Sequence, residues 1–382
     1  MINLITGGAG FIGGHLADYL LGQGQEVIVL DDLSTGSFDN IAPLVGRKGF
    51  TYYVGRVEDE ALLERALSAC DRVYHLAAAV GVRLIIDDPV RTIETNINAA
   101  QAVFGQAVKF GKPVLVASSS EVYGKSEDLP FSETDDVVYG PTSRARWSYA
   151  YSKAIDEFLL ISYARTKGLQ GVVARLFNTV GPRQTALYGM VIPRFVEQAM
   201  SGGPITVYGS GEQERCFAHV LDVAPALVRL MDCRRAYGQV VNVGNDDIIS
   251  IEALAERVRS LVNPDAEITH ISYEEAYGAG FEDLGSRLEK LERVARHMGV
   301  RALEGRIGAA LLEFADKYGT PSPEGTLVRL PFSREGLASY IGIARETVSR
   351  KLSQLESDGV IRSEGNRAIL ILDRTVLEEA SE

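Results

Sequence analysis

The sequence predicts an α/β protein in two parts: a doubly wound parallel sheet in the longer N-terminal part, then a helix-rich unit closed by a β-hairpin. Three observations carry this. Short apolar, β-forming runs, "INLITGG", "EVIVLDD", "RVYHLAA", "PVLVASSS" and "GVVARLF", alternate with helical patterns from residue 1 to about 180, as strands covered on both faces do. The glycine-rich "TGGAGFIG" follows the first strand and opens the first helix. Charge is split as well: the chain carries −12, yet residues 286–382 hold 15 Lys+Arg and 15 Asp+Glu, so the whole acidic excess lies in residues 1–285. Ends that differ electrostatically read as separate domains.

A chain of 382 residues exceeds one ordinary core and leaves room for two or three domains. Its composition, 46% hydrophobic and 24% charged, is that of a globular protein rather than a disordered one. No apolar run reaches membrane-spanning length. The N-terminus enters a strand with no basic region or cleavage site, so a cytoplasmic protein is expected, with no membrane partner. Cys70, Cys216 and Cys233 show neither metal-ligand spacing nor a disulfide framework. The acidic balance argues against nucleic-acid binding by the chain as a whole.

Gly7, Gly10 and Gly13 have the spacing that supplies a tight turn, close backbone approach to a pyrophosphate, and close helix–strand packing. The helix opening at Phe11 and Ile12 then meets phosphate charge with its N-terminus. Asp31 ends the second strand about 20 residues on, where a carboxylate accepts hydrogen bonds from the adenosine ribose. It repels a 2′-phosphate, so NAD is expected rather than NADP. This is a Rossmann-type arrangement; a tight turn and a surface acid would explain either feature singly.

"VLVASSSEVYG" ends a strand with Ser118, Ser119, Ser120 and Glu121. Hydroxyls at a strand's C-terminal edge sit where an open α/β sheet binds ligand; a serine-rich turn satisfying its own backbone is the competing reading. "WSYAYSKAIDEF" places Tyr149 and Lys153 four residues apart on one helix face. A nearby ammonium lowers a phenol pKa, which makes Tyr149 a candidate general base. Alone, the spacing fits a core tyrosine beside a solvated lysine as well.

From 181 to 285 the signals are mixed: "VIPRFVEQAM" reads as helix, "ITVYG" and "AEITHISY" as strands, and "SIEALAERVRSLV" as a helix capped by Ser250. Leu288, Leu291, Ala295, Met298 and Ala302 then repeat like a coiled-coil seam, which suits a docked helix or a dimer equally. "TPSPEG" reads as a loop at 320–325, followed by two helices separated by a turn at Gly342. "ARETVSRKLSQLESDGVI" reads as a DNA-recognition helix running into a wing, with a hairpin through "VIRSEGNRAILIL".

Taken together, TGGAGFIG, HLAA (75–78), SSSEVYG, YxxxK and "RLFNTVGPRQ" (175–184), in that order, resemble the extended short-chain dehydrogenase/reductase family over about residues 1–285. The resemblance implies a NAD-binding Rossmann domain over 1–180 and an interleaved substrate part over 181–285. The family continues with more substrate-domain sequence where this chain does not, so that part is expected to be truncated. By resemblance, Ser119, Tyr149 and Lys153 form the catalytic triad, with Ser120 and Glu121 beside them. Leu76, Ala77 and Ala78 line the cofactor. Asn178, Arg183 and Arg215 hold the diphosphate and nucleotide of a sugar nucleotide, a task suited to guanidinium forks. Arg56 stands where the family commonly has an Asp near the adenine.

The resemblance implies oxidation of the sugar at C4 followed by a second step. S-x-S-E-V-Y-G with "GPTSRARWSYAYSK" is similar to UDP-glucuronate decarboxylases, and a 4-epimerase remains equally open. A cation near the reacting carbons would stabilise an enolate, and Arg183 and Arg215 are the candidates. Residues 286–382 resemble the C-terminal part of Crp/Fnr-type regulators, a winged helix-turn-helix domain without the sensory β-roll. Arg345, Glu346, Ser349 and Arg350 match the positions that read base edges, so double-stranded DNA is an expected partner. Ala344 and Gly336 replace residues that commonly cap the two helices, Ser333 retaining one half of a capping box. Both families dimerise through helices, so a homodimer is expected. The competing reading is a DNA-binding regulator whose NAD-binding half senses cofactor or sugar nucleotide without turnover.

Overall fold

The computed structural model describes residues 1–79, 88–126, 131–185, 190–272, 275–276, 299–330, 337, 345–364 and 368–381. The chain divides into two units, Met1–Arg293 and Val294–Glu382, each described by itself.

The first unit begins β1 (Ile2–Thr6), α1 (Phe11–Gly22), β2 (Glu26–Asp31), β3 (Phe50–Val54), α2 (Glu60–Ala69), β4 (Arg72–His75), α3 (Pro89–Phe110), β5 (Val114–Ser119), α4 (Ser148–Lys167) and β6 (Gly171–Leu176). It continues β7 (Thr179–Val180), α5 (Val191–Met200), β8 (Ile205–Tyr208), β9 (Glu214–Cys216), β10 (Ala218–His219), α6 (Val220–Asp232), β11 (Val240–Val243), β12 (Ile248–Ser250), α7 (Ile251–Val262) and β13 (Ile268–Ile271).

Seven strands make one sheet in the order β11-β6-β5-β4-β1-β2-β3, with all neighbours parallel. Side-chain alternation explains its two-faced burial. Ile5 packs with Leu16, Leu20 and Leu227 on one face, while Leu4 packs with Leu63, Phe104 and Leu160 on the other. Helix ends are set locally. α3 starts on Asp88, whose carboxylate accepts from the Arg91 amide at 3.0 Å, has Pro89 in its first turn, and stops at Gly111 in the left-handed region. Strand order reverses between β1 and β4, which opens a crevice at their C-terminal ends.

Residues 181–285 contribute to that sheet and to a core of their own. β11 is paired along β6, Val240 opposite Val173. Phe195, Ile205, Val207 and Leu254 form the second core under α5, α7 and the β8–β13 pair. Ser250 caps α7 by accepting from the Ala253 amide at 3.1 Å.

The second unit contains α8 (Gly299–Tyr318), β14 (Gly319–Ser322), β15 (Gly325–Arg329), α9 (Arg345–Ser357), β16 (Ile361–Ser363), β17 (Ala368–Ile371) and α10 (Arg374–Ser381). Its strands form an antiparallel sheet in the order β14-β15-β17-β16 around Leu311, Phe314, Val328, Leu352, Ile369 and Leu377. The expected loop at 320–325 is therefore a hairpin. Pro321 is tolerated because β14 is an edge strand, where a missing N–H breaks no central ladder. The seam residues Leu288, Leu291, Ala295 and Met298, and Ser333, Gly336, Gly342 and Ala344, lie outside the described residues. Ala302 falls within α8.

Candidate active site

The glycine-rich turn sits at the reversal of strand order, and its glycines are required by space. Gly7 has φ 72°, and a Cβ there would stand 2.6 Å from the Ala77 nitrogen, which presses the turn onto the segment after β4. The Leu76 amide is tied to the Thr6 carbonyl at 3.0 Å, which fixes that segment beside β1. A Cβ on Gly13 would fall 2.3 Å from the Gly7 carbonyl oxygen. Gly10 caps α1 without a side-chain bond, so no side chain competes for the amides at Phe11 and Ile12. A narrow backbone cradle with helix amides facing it fits the diphosphate of NAD.

Asp31 is buried at the end of β2. Its two oxygens accept from the Ala9 amide at 2.9 Å and the Leu33 amide at 2.8 Å. Burial pushes the carboxyl up, and those two amides pull it back. Besides its expected place at the ribose, Asp31 thus fastens the turn itself. Arg56 points to Glu58 at 2.9 Å and is largely exposed.

The catalytic candidates converge from β5 and α4. Ser119 lies close enough to the Tyr149 phenol to lower its pKa, and its Oγ accepts from the Glu121 amide at 3.2 Å. Ser120 and Glu121 lie in the 3₁₀ turn that follows β5. Burial pushes the Tyr149 phenol well up, Glu121 adds to this, and Ser119 opposes it. The net effect on the phenol is thus a rise, and the influences that oppose it are those of Ser119 and Arg146. Lys153 is buried and holds Asp156 at 2.8 Å, so its charge is compensated within α4. Asp156 Oδ1 and His75 Nε2 are buried without a partner among the described residues.

Sequence reasoning missed Arg146. In a 3₁₀ turn just before α4, Arg146 is buried and its Nη1 lies 2.7 Å from Glu121 Oε2, close enough to Tyr149 to counter part of the phenol's shift. Its signal was "SRARWSY", which reads as a solvated basic loop. A second missed group supports the constellation from behind. Arg175 on β6 forks onto Glu157 of α4 at 2.8 and 3.0 Å, Glu157 accepts from Ser118, and the guanidinium lies over the Tyr123 ring.

The substrate candidates separate. Asn178 donates to the Cys216 carbonyl at 3.2 Å, which brings it beside β9, where Arg215 sits and donates to the Glu214 carbonyl at 2.7 Å. Arg183 goes elsewhere. It pairs with Asp18 of α1 at 2.7 Å and donates to the Asn40 carbonyl. The cation beside Glu121 and Tyr149 is Arg146.

In the second unit, α9 buries Val348, Leu352 and Leu355, while Arg350 is exposed and Ser349 half-buried. Arg345 and Glu346 open α9; their side chains lie outside the described residues.

Comparison with known proteins agrees with this division. A sequence model described as the NAD dependent epimerase/dehydratase family matches residues 3–244, and one described as the Crp-like helix-turn-helix domain matches residues 305–380. The UDP-N-acetyl-alpha-D-glucosaminuronate decarboxylase of Bacillus cytotoxicus is 39% identical over 285 residues, 74% of this chain and 87% of that protein. UDP-glucuronic acid decarboxylase 1 of Xenopus tropicalis is 37% identical over 269 residues, 70% of this chain and 62% of its own length. Among solved structures, the UDP-glucose 4-epimerase of Thermotoga maritima with UDP-glucose superposes with a TM-score of 0.65 at 28% identity, covering 78% of this chain and 99% of that one.

Proposed function

Because this chain belongs to the NAD dependent epimerase/dehydratase family, we propose that it decarboxylates a UDP-linked hexuronic acid through a C4-keto intermediate. The observation that carries this is the pairing of buried Arg146 with half-buried Glu121 next to Ser119 and Tyr149. A 4-epimerase needs no cation beside its catalytic tyrosine for the keto-sugar to turn over, whereas a substrate carboxylate on C5 calls for one. The named decarboxylases among its relatives support the same choice.

Bound NAD supplies the hydride acceptor that makes the C4 carbinol a ketone and returns the hydride at the end. Tyr149, beside Ser119, takes the 4-hydroxyl proton. Arg146 orients the C5 carboxylate by charge-assisted hydrogen bonds. With a ketone at C4 that group is a β-keto acid: the C5–C6 bond breaks, carbon dioxide leaves, and the electron pair passes to the C4 oxygen. Glu121 is the group placed to carry the proton that returns to C5. Asn178 and Arg215, drawn together at β9, take the nucleotide diphosphate. In this reading α9 enters the major groove of double-stranded DNA, and Arg345, Glu346, Ser349 and Arg350 are the residues that read it.

The test incubates the protein with UDP-glucuronate and UDP-N-acetylglucosaminuronate and resolves products by mass. Loss of one carbon dioxide supports the proposal. An isomer of unchanged mass makes the protein a 4-epimerase. Neither product, with NAD bound, leaves the sensor reading.

A further inference from the structure

Arg183 adopts φ 70°, a left-handed conformation that a residue with a side chain takes up only under constraint. Its guanidinium bridges two elements: Nη2 lies 2.7 Å from Asp18 Oδ2 on α1, and Nη1 donates to the Asn40 carbonyl at 3.3 Å. Asn40 in turn donates Nδ2 to the Ala9 carbonyl at 2.8 Å, and the Ser37 amide donates to that same carbonyl at 3.0 Å. Residues 36–40 therefore lie across the middle of the glycine-rich turn. The approach is so close that a Cβ on Gly36 would stand 2.9 Å from the Ala9 backbone. The segment is anchored at its far end by Ile41 and Leu44 in the core, so its near end is the part that Arg183 governs.

Arg183 itself belongs to the opposite segment, which leaves β7, and Asn178 stands just before that strand. We propose that Arg183 is a positioning residue that fastens the sugar-side loop, residues 178–185, to the cofactor-side segment, residues 36–40, and so controls how tightly NAD is retained. The chain of contacts runs Arg183, Asn40, Ala9, Asp31, each within hydrogen-bond distance of the next. A sugar nucleotide that settles the first loop then also steadies the second. The inference rests on the family's cofactor and not on the proposed decarboxylation.

The experiment loads the full chain with adenine-labelled NAD, chases with unlabelled NAD, and follows release. Asp18→Asn and Arg183→Met are each expected to speed release about fivefold, the scale of one partly exposed ion pair. The double variant should be no faster than Arg183→Met alone. Arg47→Met removes the other partner of Asp18, 3.0 Å away, and should leave release unchanged. Asp18→Asn keeps the strained Arg183 backbone intact, so it tests the contact without risking the loop's fold. Competition by UDP should be unaltered in all four. Wild-type release rates in both single variants overturn the proposal. So does weakened UDP binding with unchanged NAD release, which makes Arg183 a diphosphate ligand, and so does equal acceleration by Arg47→Met.

Discussion

Arg146 and Glu121 meet at 2.7 Å from two 3₁₀ turns, one just before α4 and one just after β5. The pair therefore joins the element that carries Tyr149 to the element that carries Ser119. A guanidinium kept from water is a strong anchor for a carboxylate, and breaking its contacts is correspondingly expensive. Arg146→Met keeps the apolar stem and removes the fork. With a UDP-hexuronate, kcat/KM should fall about a hundredfold or more, while the NAD content of the purified protein stays the same. Steady-state kinetics and cofactor stoichiometry check both halves.

Tyr149→Phe should lower turnover by about 10²- to 10⁴-fold, the range for a positioned acid–base group. Binding of duplex DNA selected from a random pool should be untouched. Loss of DNA binding together with turnover would instead make the two units one machine.

The pH dependence has a definite sign. Tyr149 must lose its proton to act as a base, and burial and Glu121 both resist that loss. The oxidation step should therefore gain with rising pH, its acid limb following the phenol. Glu121→Gln removes the largest of the charges that resist the loss and should move that limb to lower pH. The absorbance of reduced nicotinamide during a single turnover reports it, and an unmoved limb would assign the limb to another group.

His75, with Nδ1 2.7 Å from Thr6 Oγ1, is held neutral by burial, its pKa lowered to about 3 from 6.5. Below pH 6.5 the unfolded chain binds a proton that the folded one refuses. This contribution is intact above that pH and is lost as the pH falls toward 3, by at most about 1.4 kcal/mol per pH unit. His75→Gln should flatten that part of the stability curve, as followed by urea unfolding of the first unit.

Val90 and Ile93 on α3 and Ile155 and Phe158 on α4 are exposed, Phe158 to 69%. Large apolar side chains left in water on two packed helices mark an association surface. Sedimentation should show a dimer, and Phe158→Glu should shift it toward the monomer without loss of bound NAD.

Much of this was legible in the sequence because it rests on local chemistry. The glycines of the turn, the apolar runs of a sheet buried on both faces, and the spacing of Tyr149 and Lys153 each leave a periodic or steric trace. Arg146, Arg175 and Asp156 leave none. Each acquires its role from a partner on another element or from burial, and an arginine in a polar loop looks solvated until its surroundings are known. Arg183 is similar: its motif position suggests a phosphate ligand, and its pairing with Asp18 on α1 left no trace in the spacing. The 320–325 stretch was misjudged because proline and glycine signal a loop, yet the edge strand β14 accepts Pro321 and Gly325 opens β15.

α10 packs back onto α8, with Leu377 buried in the shared core and Arg374 reaching Asp316 at 2.8 Å. The second unit thus begins and ends on the same pair of helices, with its own core closed between them. A segment built this way is portable. It needs a single covalent attachment to whatever precedes it, and it brings its own means of folding. That explains how a nucleotide-binding enzyme fold and a helix-turn-helix can share one chain without a compromise in either core. It also means that removing α10 would uncover the core around Leu377 and destabilise the second unit.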